Sequence, residues 1–306
     1  MKKIIIHEVG IRDGLQAEKE VVPTEQKINW IKELAVTGVD IIQAGSFVNP
    51  KKMPQMADTD ELFKYFSLPE NKLHKVTLSG LVLNEKGLER GMACGVELFC
   101  MGVSASETHS QKNTGMTTEQ ATDRIIAMAK SAMASDKNVQ VSVQSAFGCG
   151  YEGKIPEEKV LFLVSKFLEN GISNISLADT AGHAVPDQVE RLYTAIFKLD
   201  PNADCVCHLH NTYGLGLTNA YAAYKIGVRS FESSFAGLGG CPFTAIAAGN
   251  VSTEDLVHMF QNMNLRKDIQ VDKLIAIAKE AAEYFKRELP GVIYKTGKIP
   301  DIAHNY

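Results

Sequence analysis

The sequence predicts a (β/α)8 barrel, an α/β fold in which eight parallel strands alternate with helices. The first observation is a short pattern that recurs four times, with glycine at Gly38, Gly95, Gly171 and Gly227. Each glycine follows an amphipathic stretch and precedes a β-rich run, as expected where a left-handed glycine closes a helix and a strand begins. The second observation is the spacing of the pattern, at 57, 76 and 56 residues. These intervals are about twice the roughly 28 residues of one βα unit, so each leaves room for one further strand and helix.

Eight strand candidates follow, at residues 3–9, 39–44, 75–82, 96–102, 139–146, 172–178, 204–210 and 228–235. Helices are predicted at residues 24–37, 118–135, 156–170 and 186–199, where apolar side chains recur at spacings of three and four. Eight strand–helix alternations indicate the barrel, and an open doubly wound sheet is the alternative. Two more helices are predicted at about residues 253–263 and 271–289. We therefore expect one domain, with the barrel at about residues 3–263 and a helical C-terminal elaboration at about residues 264–306.

Composition and charge restrict the class of partner. The chain of 306 residues is 45% hydrophobic and 22% charged, which is typical of a soluble globular protein. The formal net charge of −4 argues against a general surface for nucleic acid or anionic membrane. No apolar run reaches the roughly 18 residues of a membrane span, and the first residues make a poor signal peptide. Six cysteines without paired metal spacing suit a reducing compartment. These features predict a cytoplasmic protein with a small-molecule substrate and no nucleic-acid or membrane partner.

The segment CVCHLHNTYG carries two histidines two residues apart, His208 and His210. On a β-strand both imidazoles would project from the same face, whereas on a helix they would splay about 200° apart. The pair therefore predicts a metal clamp at the end of a strand. The alternative is two histidines that are hydrogen-bonded in the core or at the surface.

Active groups of such barrels come from the carboxyl ends of the strands and the loops that follow. The predicted strands and the glycine-rich loop after the last one deliver a set of polar side chains there: Arg12, Asp13, Gln43, Ser46, Ser176, Asp179, Thr180, His208, His210, Cys241 and Asn250. A carboxylate, two imidazoles and an amide oxygen suit a divalent cation such as Mg²⁺, Mn²⁺ or Co²⁺, whereas zinc would more often recruit cysteine or a third histidine. Such a cation would polarise a carbonyl and stabilise an enolate, and Arg12 would add a second positive charge.

Several of these residues also have a purely structural interpretation. Asp13 and Asp179 are suited to capping a turn or a helix, and Cys241 to being a buried thiol in a tight glycine-rich loop. What favours a site is that all of them fall at the same end of one predicted barrel.

Six blocks of sequence are similar to the 3-hydroxy-3-methylglutaryl-CoA (HMG-CoA) lyases, a family of metal-dependent lyases with a (β/α)8 barrel. They are EVGIRDGLQAEK, SFVNPKKMPQM, GCGYEGKI, SLADTAG, HLHNTYGLGL and AGLGGCPF, the last followed by AAGNVSTEDLV, and the resemblance runs from about residue 4 to residue 263. It implies cleavage of HMG-CoA: the C3 hydroxyl loses its proton, the C2–C3 bond breaks, and acetyl-CoA leaves with acetoacetate. It also implies that this chain forms a homodimer.

The resemblance assigns roles to individual residues. It implies Mg²⁺ or Mn²⁺ ligands at Asp13, His208 and His210, with Asn250 nearby or ligating. Arg12 would clamp the thioester carbonyl, and Cys241 would lie on a mobile loop and help to protonate the product. Lys19 matches a lysine associated with the phosphates of CoA, and Asp179 matches an acidic residue of the site. Ser46 and Ser176 are predicted to bind the CoA-linked substrate.

One departure from the family pattern concerns Gln43. The family usually carries a glutamate in a sequence such as IET-TSF, where this chain has IIQAGSF. Glutamine can hydrogen-bond but cannot accept a proton, so its presence could cost about 10²–10⁴ in rate on HMG-CoA. The smaller Ala44–Gly45 pair predicts a wider pocket floor. The alternatives are thus a lyase for another acyl-CoA or hydroxy acid, a bond-forming synthase, or a barrel that binds acyl-CoA without turnover.

Overall fold

A computed structural model describes residues 2–240 and 249–300 of the chain. Eight strands form one closed barrel in sequence order, and all neighbouring strands are parallel. They are β1 (Ile5–Glu8), β2 (Ile41–Ser46), β3 (Thr77–Leu81), β4 (Leu98–Ser104), β5 (Asn138–Gln144), β6 (Asn174–Ala178), β7 (Asp204–His208) and β8 (Ser230–Ser233). The predicted (β/α)8 fold is confirmed, and each predicted strand overlaps an observed one.

Helices alternate with the strands and surround the barrel. They are α1 (Thr24–Ala35), α2 (Thr59–Ser67), α3 (Glu85–Ala93), α4 (Glu107–Thr114), α5 (Thr118–Met133), α6 (Glu157–Glu169), α7 (Pro186–Leu199) and α8 (Gly216–Lys225), with both α4 and α5 between β4 and β5. The four recurring glycines have positive φ angles of 100° (Gly38), 76° (Gly95), 77° (Gly171) and 114° (Gly227). They lie between α1, α3, α6 or α8 and the strand that follows, as the sequence pattern predicts.

The strands divide their side chains between two environments. Apolar residues of the strands join the hydrophobic core, among them Ile6, Ile42, Val141, Leu177 and Cys207. Their immediate neighbours in the chain are buried polar residues: His7, Gln43, Gln140, Ser176 and His208. Because successive side chains of a strand point to opposite faces, this second set lines the inside of the barrel.

Three further helices follow the barrel: α9 (Thr253–Asn262), α10 (Val271–Tyr284) and α11 (Ile293–Thr296). Helix α10 packs against α1 and α9, and Trp30 Nε1 of α1 donates a hydrogen bond to Glu280 Oε1 at 3.0 Å. The helix predicted to reach residue 289 ends at Tyr284. No helix among the described residues has the length and apolarity needed to cross a membrane.

The seventh strand is shorter than predicted. It ends at His208, and His210 instead forms an isolated antiparallel bridge with Asn250. The physical reason is a change of backbone partner: Asn211 N donates to Gly249 O at 2.6 Å, and Val251 N donates to Leu209 O at 3.1 Å. The segment after position 248 therefore replaces β6 and β8 as the neighbour of residues 209–211.

Candidate active site

A tight turn after β1 presents Arg12 and Asp13 at the carboxyl end of the barrel. The turn, Gly10–Gly14, is one turn of π-helix, and the amides of Arg12 and Asp13 donate to Val9 O at 3.1 and 2.7 Å. Its first amide, Gly10 N–H, donates to Glu8 Oε1 at 2.6 Å. A Cβ at Gly10 would lie 2.5 Å from the Phe235 ring, so only glycine fits there.

Asp13 meets the two histidines of β7 and its following residues. His208 Nε2 lies 3.3 Å from His210 Nε2 and 3.8 Å from Asp13 Oδ2. One ligand atom from each of the three residues lies within 4.8 Å of the other two. His210 Nδ1 is buried and lacks a hydrogen-bond partner among the residues that the structure describes. Two imidazole nitrogens and a carboxylate oxygen that converge in this way form a donor set that fits a divalent cation.

The three groups perturb one another electrostatically. Burial raises the pKa of Asp13, but the charge of Arg12 and the neighbouring histidines lower it more, so the net pKa lies far below its usual value. Burial lowers the pKa of His210 to about 3, and the nearby His208 contributes. Burial also acts to lower the pKa of His208, but the hydrogen bond and charge of Glu232 outweigh it and raise the pKa. Asp13 and His210 are thus in the deprotonated forms that metal binding requires, whereas Glu232 favours the protonated form of His208, with which a metal ion would compete.

Asn250 lies beside Asp13 but presents its nitrogen rather than its oxygen. Asn250 Nδ2 donates to Asp13 Oδ2 at 2.8 Å and to Leu238 O at 3.1 Å. As oriented, the amide holds Asp13 and ties it to the chain after β8. Gly239 makes this approach possible, because a Cβ there would lie 2.5 Å from Asn250 Nδ2 and its φ is +128°.

Arg12 bridges Asp13 and Gln43, the residue at which this chain departs from the family pattern. Its Nε donates to Gln43 Oε1, and its terminal nitrogen donates to Asp13 Oδ1. Gln43 is buried at the end of β2, where a bulge shifts the register between Gln43 and Gly45. The expectation of a wider pocket floor is wrong for Gly45, because a Cβ there would lie 2.5 Å from Thr59 Oγ1. Gly45 therefore allows β2 to pack closely against Thr59 of α2.

The remaining predicted residues lie in different surroundings. Ser46 Oγ, Ser176 Oγ and Asp179 Oδ2 are buried at or near the carboxyl ends of β2 and β6, without a hydrogen-bond partner among the described residues. Asp179 N donates to His208 O at 2.9 Å, and its Oδ1 accepts from Ala184 N at 3.2 Å, so it also caps the loop before α7. Burial raises the pKa of Asp179 to about 7.

Lys19 is not part of the observed cluster of contacts. Lys19 is exposed, and no hydrogen bond or ion pair joins it to the described part of the chain. Cys241 lies outside the described residues. Gly240 and Gly249, on either side of positions 241–248, are close together, because a Cβ at Gly249 would lie 2.8 Å from Gly240 N.

Several polar residues near the site were missed by the sequence reasoning. Glu8 lies under the turn that carries Asp13, and Glu232 Oε2 lies 2.8 Å from His208 Nδ1. His7 and Gln140 also contact Glu232. The available signal was a charged or polar residue inside an otherwise apolar strand, as in IIIHEV and RSFESS. Strand alternation turns His7 and Glu232 inward, toward the barrel axis, and the adjacent Glu8 to the opposite face, where it contacts Phe235 and Thr253.

Comparison with known proteins places this geometry in a family. The profile of the HMGL-like family matches residues 3–280. The chain belongs to the HMGL-like family. Its relatives include a hydroxymethylglutaryl-CoA lyase of Bacillus subtilis, 37% identical over 94% of this chain and 95% of the relative. The (R)-citramalyl-CoA lyase of Chloroflexus aurantiacus is 34% identical over 98% of this chain and 96% of the relative.

Solved structures of this family have the same fold. An HMG-CoA lyase of Acinetobacter baumannii, solved with coenzyme A and 3-methylmalate, is 38% identical, with a TM-score of 0.90 and coverage of 98% of this chain and 97% of the other. The Bacillus subtilis HMG-CoA lyase gives a TM-score of 0.91 at 36% identity, covering 97% and 98% of the two chains. The resemblance read from the sequence blocks and the predicted enzyme class, a lyase, are therefore confirmed.

Proposed function

We propose that this HMGL-like lyase is a divalent-metal-dependent enzyme that cleaves HMG-CoA, or a closely related 3-hydroxyacyl-CoA, at the C2–C3 bond. For HMG-CoA the products are acetyl-CoA and acetoacetate. The observation that carries the proposal is the convergence of Asp13, His208 and His210 beside Arg12 at the carboxyl end of the barrel. The names of the relatives, two kinds of acyl-CoA lyase, support the same bond cleavage.

The proposed division of labour follows from the side chains. Asp13, His208 and His210 would hold Mg²⁺ or Mn²⁺, which supplies positive charge to polarise the substrate oxygens. Arg12, already fixed by Asp13 and Gln43, is placed to stabilise the enolate oxygen that forms from the thioester as the bond breaks. Asn250 is hydrogen-bonded to Asp13 through its amide nitrogen, and we keep it as the further metal ligand that the family resemblance implies.

Proton transfer needs an acceptor other than Gln43, whose amide cannot take a proton. We assign this role to Asp179, whose buried Oδ2 lacks a partner in the described chain and whose backbone is bonded to His208. Cys241 would return a proton to the product, Lys19 would meet the phosphates of CoA, and Ser46 and Ser176 would bind the substrate. These assignments rest on the family resemblance. The protein would act as a cytoplasmic homodimer.

The first experiment is an assay of acetyl-CoA release from HMG-CoA in the presence of Mn²⁺ or Mg²⁺. Activity should disappear with EDTA and return when the metal is restored, and Asp13→Asn should lose it at all metal concentrations. Protein that binds metal but cleaves none of a panel of 3-hydroxyacyl-CoAs would contradict the proposal. That outcome would favour a barrel that binds acyl-CoA without turnover.

A second candidate substrate class is favoured by Gln43. The citramalyl-CoA lyase relative and the 3-methylmalate complex name other branched hydroxy acids, so citramalyl-CoA belongs in the panel. Gln43→Glu tests the choice, with Gln43→Met as a control of similar volume that cannot bond to Arg12. A large gain of Gln43→Glu on HMG-CoA would indicate a lyase weakened on that substrate. A loss on another acyl-CoA, without gain on HMG-CoA, would identify that compound as the better substrate.

A further inference from the structure

A layer of polar side chains from several strands lies inside the barrel beneath the cluster of Asp13, His208 and His210. Glu232 of β8 is at its centre: Oε2 lies 2.8 Å from His208 Nδ1, and Oε1 accepts a hydrogen bond from Gln140 Nε2 of β5. His7 Nδ1 of β1 lies 3.4 Å from Glu232 Oε1. His7 Nε2 is in turn 2.8 Å from Ser79 Oγ of β3. Side chains of three other strands, β1, β5 and β7, thus converge on the Glu232 carboxylate.

A buried polar layer of this kind contributes less to folding stability than apolar residues of similar volume would. Glu232 is 7% exposed, and His7 and Gln140 are almost fully buried. Both carboxylate oxygens of Glu232 nevertheless contact polar side chains of other strands, His208 at Oε2 and Gln140 at Oε1. Replacing a buried ionic group by apolar residues of similar volume is often neutral or stabilising. A carboxylate buried in the barrel interior, in contact with His208, therefore points to a role at the site above it.

The two histidines above Glu232 differ in how they are held. His208 has a carboxylate at Nδ1, whereas His210 Nδ1 has no hydrogen-bond partner among the described residues. A carboxylate at Nδ1 fixes the proton on that nitrogen and leaves the lone pair of Nε2 free. In His208 this free nitrogen faces Asp13 Oδ2 and His210 Nε2.

We propose that Glu232, braced by the hydrogen bond from Gln140, is a positioning residue that fixes the tautomer and orientation of His208 for metal binding. His208 is then the anchored ligand, whereas His210 Nδ1 has no comparable partner among the described residues. The inference rests on the metal site of the proposed function and extends it to residues that touch neither substrate nor metal. Carboxylates behind metal-binding histidines typically contribute 10–100-fold in metal affinity or activity.

The test is the Mn²⁺ affinity of Glu232→Gln, measured by electron paramagnetic resonance of free Mn²⁺ and by calorimetry. We expect binding to weaken by about 10–100-fold. The Mn²⁺ concentration that gives half-maximal activity should rise by the same factor, while KM for the acyl-CoA stays constant. Glu280→Gln is the matched control, because this glutamate accepts a hydrogen bond from Trp30 on the outer helices, away from the histidines.

The Mn²⁺ affinities of a second variant and of the wild-type protein distinguish failure of this inference from failure of the proposed function. Gln140→Met leaves the Glu232–His208 contact in place but removes its brace, so we expect a smaller loss of Mn²⁺ affinity, below about 10-fold. This variant also serves if Glu232→Gln does not fold. Wild-type affinity in both variants would overturn the inference while leaving the proposed function intact. Absence of Mn²⁺ binding by the wild-type protein would instead overturn the proposed function and the inference with it.

Discussion

Glu8 holds together two pieces of the active-site framework, and its replacement gives a sharp test of that geometry. Its Oε1 accepts hydrogen bonds from Gly10 N–H at 2.6 Å and Phe235 N–H at 3.0 Å, and its Oε2 accepts from the hydroxyl of Thr253. The first amide begins the turn that carries Arg12 and Asp13. We compare Glu8→Ala, which removes both acceptor oxygens, with Glu8→Gln, which keeps one oxygen in the same place.

The expected losses follow from the groups left unpaired. In Glu8→Ala two buried amides lose their acceptor, and each costs about 1–3 kcal/mol, which gives a destabilisation of about 2–6 kcal/mol. In Glu8→Gln the amide oxygen still accepts from both N–H groups, and the new NH₂ can donate to Thr253. A displacement of the turn by about 1 Å would lower kcat about 10²-fold in Glu8→Ala. We expect Glu8→Gln to keep most of its activity.

The pH dependence supplies an independent check. Burial raises the pKa of Glu8 from its usual 4.5 to about 7, although Thr253 and the two amides lower it. The native state therefore holds the proton more tightly than the unfolded state. The associated stability is fully present below pH 4.5 and is lost as the pH rises through 7. At about 1.4 kcal/mol per pKa unit, the loss is about 3 kcal/mol, and it should be absent in Glu8→Gln.

Urea denaturation of the three proteins between pH 4.5 and 8 gives the stabilities, and the acyl-CoA cleavage assay gives kcat. The reasoning would be refuted if Glu8→Ala and Glu8→Gln were equally stable and equally active. It would also be refuted if wild type and Glu8→Gln showed parallel stability curves across this pH range.

Three further predictions concern the site itself. Asp13→Asn should weaken Mn²⁺ binding, measured by calorimetry, by more than about 100-fold. That is the upper loss expected when the replaced residue only contacts a metal ligand and does not bind the metal itself. Arg12→Lys should lower kcat about 10²–10³-fold, because a lysine lacks the fork that reaches Asp13 and Gln43 together; unchanged kcat with raised KM would contradict a role in the transition state. Gly239→Ala should lower kcat about 10²-fold, because its Cβ would lie 2.5 Å from Asn250 Nδ2. Gly95→Ala is its control: it also has a positive φ but nothing within 4 Å, so it should lose stability without losing activity.

The sequence carried enough information for the barrel because two regular signals repeat along it. Glycines such as Gly38 and Gly171 mark the ends of helices, and apolar runs mark the strands that follow. The same regularity indicated that Asp13 and His208 fall at one end of the barrel. The sequence pattern did not predict where β7 ends. Residues 209–211 leave the barrel sheet and bond to residues 249–251, which are distant in sequence.

The supporting residues could not be predicted for a different reason. Glu8, Glu232 and His7 each occupy one position in a short strand, and each acts through a partner on another strand or loop. Spacing along the chain places a residue on the inner or outer face but does not give its neighbour across the barrel. The register of β1 with β8, which pairs His7 with Glu232, is a property of barrel closure.

Gln43 changes the charge balance around Arg12 rather than the shape of the site. Among the described residues, Arg12 contacts one carboxylate, Asp13, and one neutral amide, Gln43, so one negative group balances its positive charge there. A glutamate at position 43 would add a second negative charge at hydrogen-bond distance from the guanidinium. On the proposed function, the glutamine leaves more of the positive charge of Arg12 for the enolate oxygen and removes a proton acceptor, so we expect the preferred substrate to be one whose hydroxyl proton can reach Asp179.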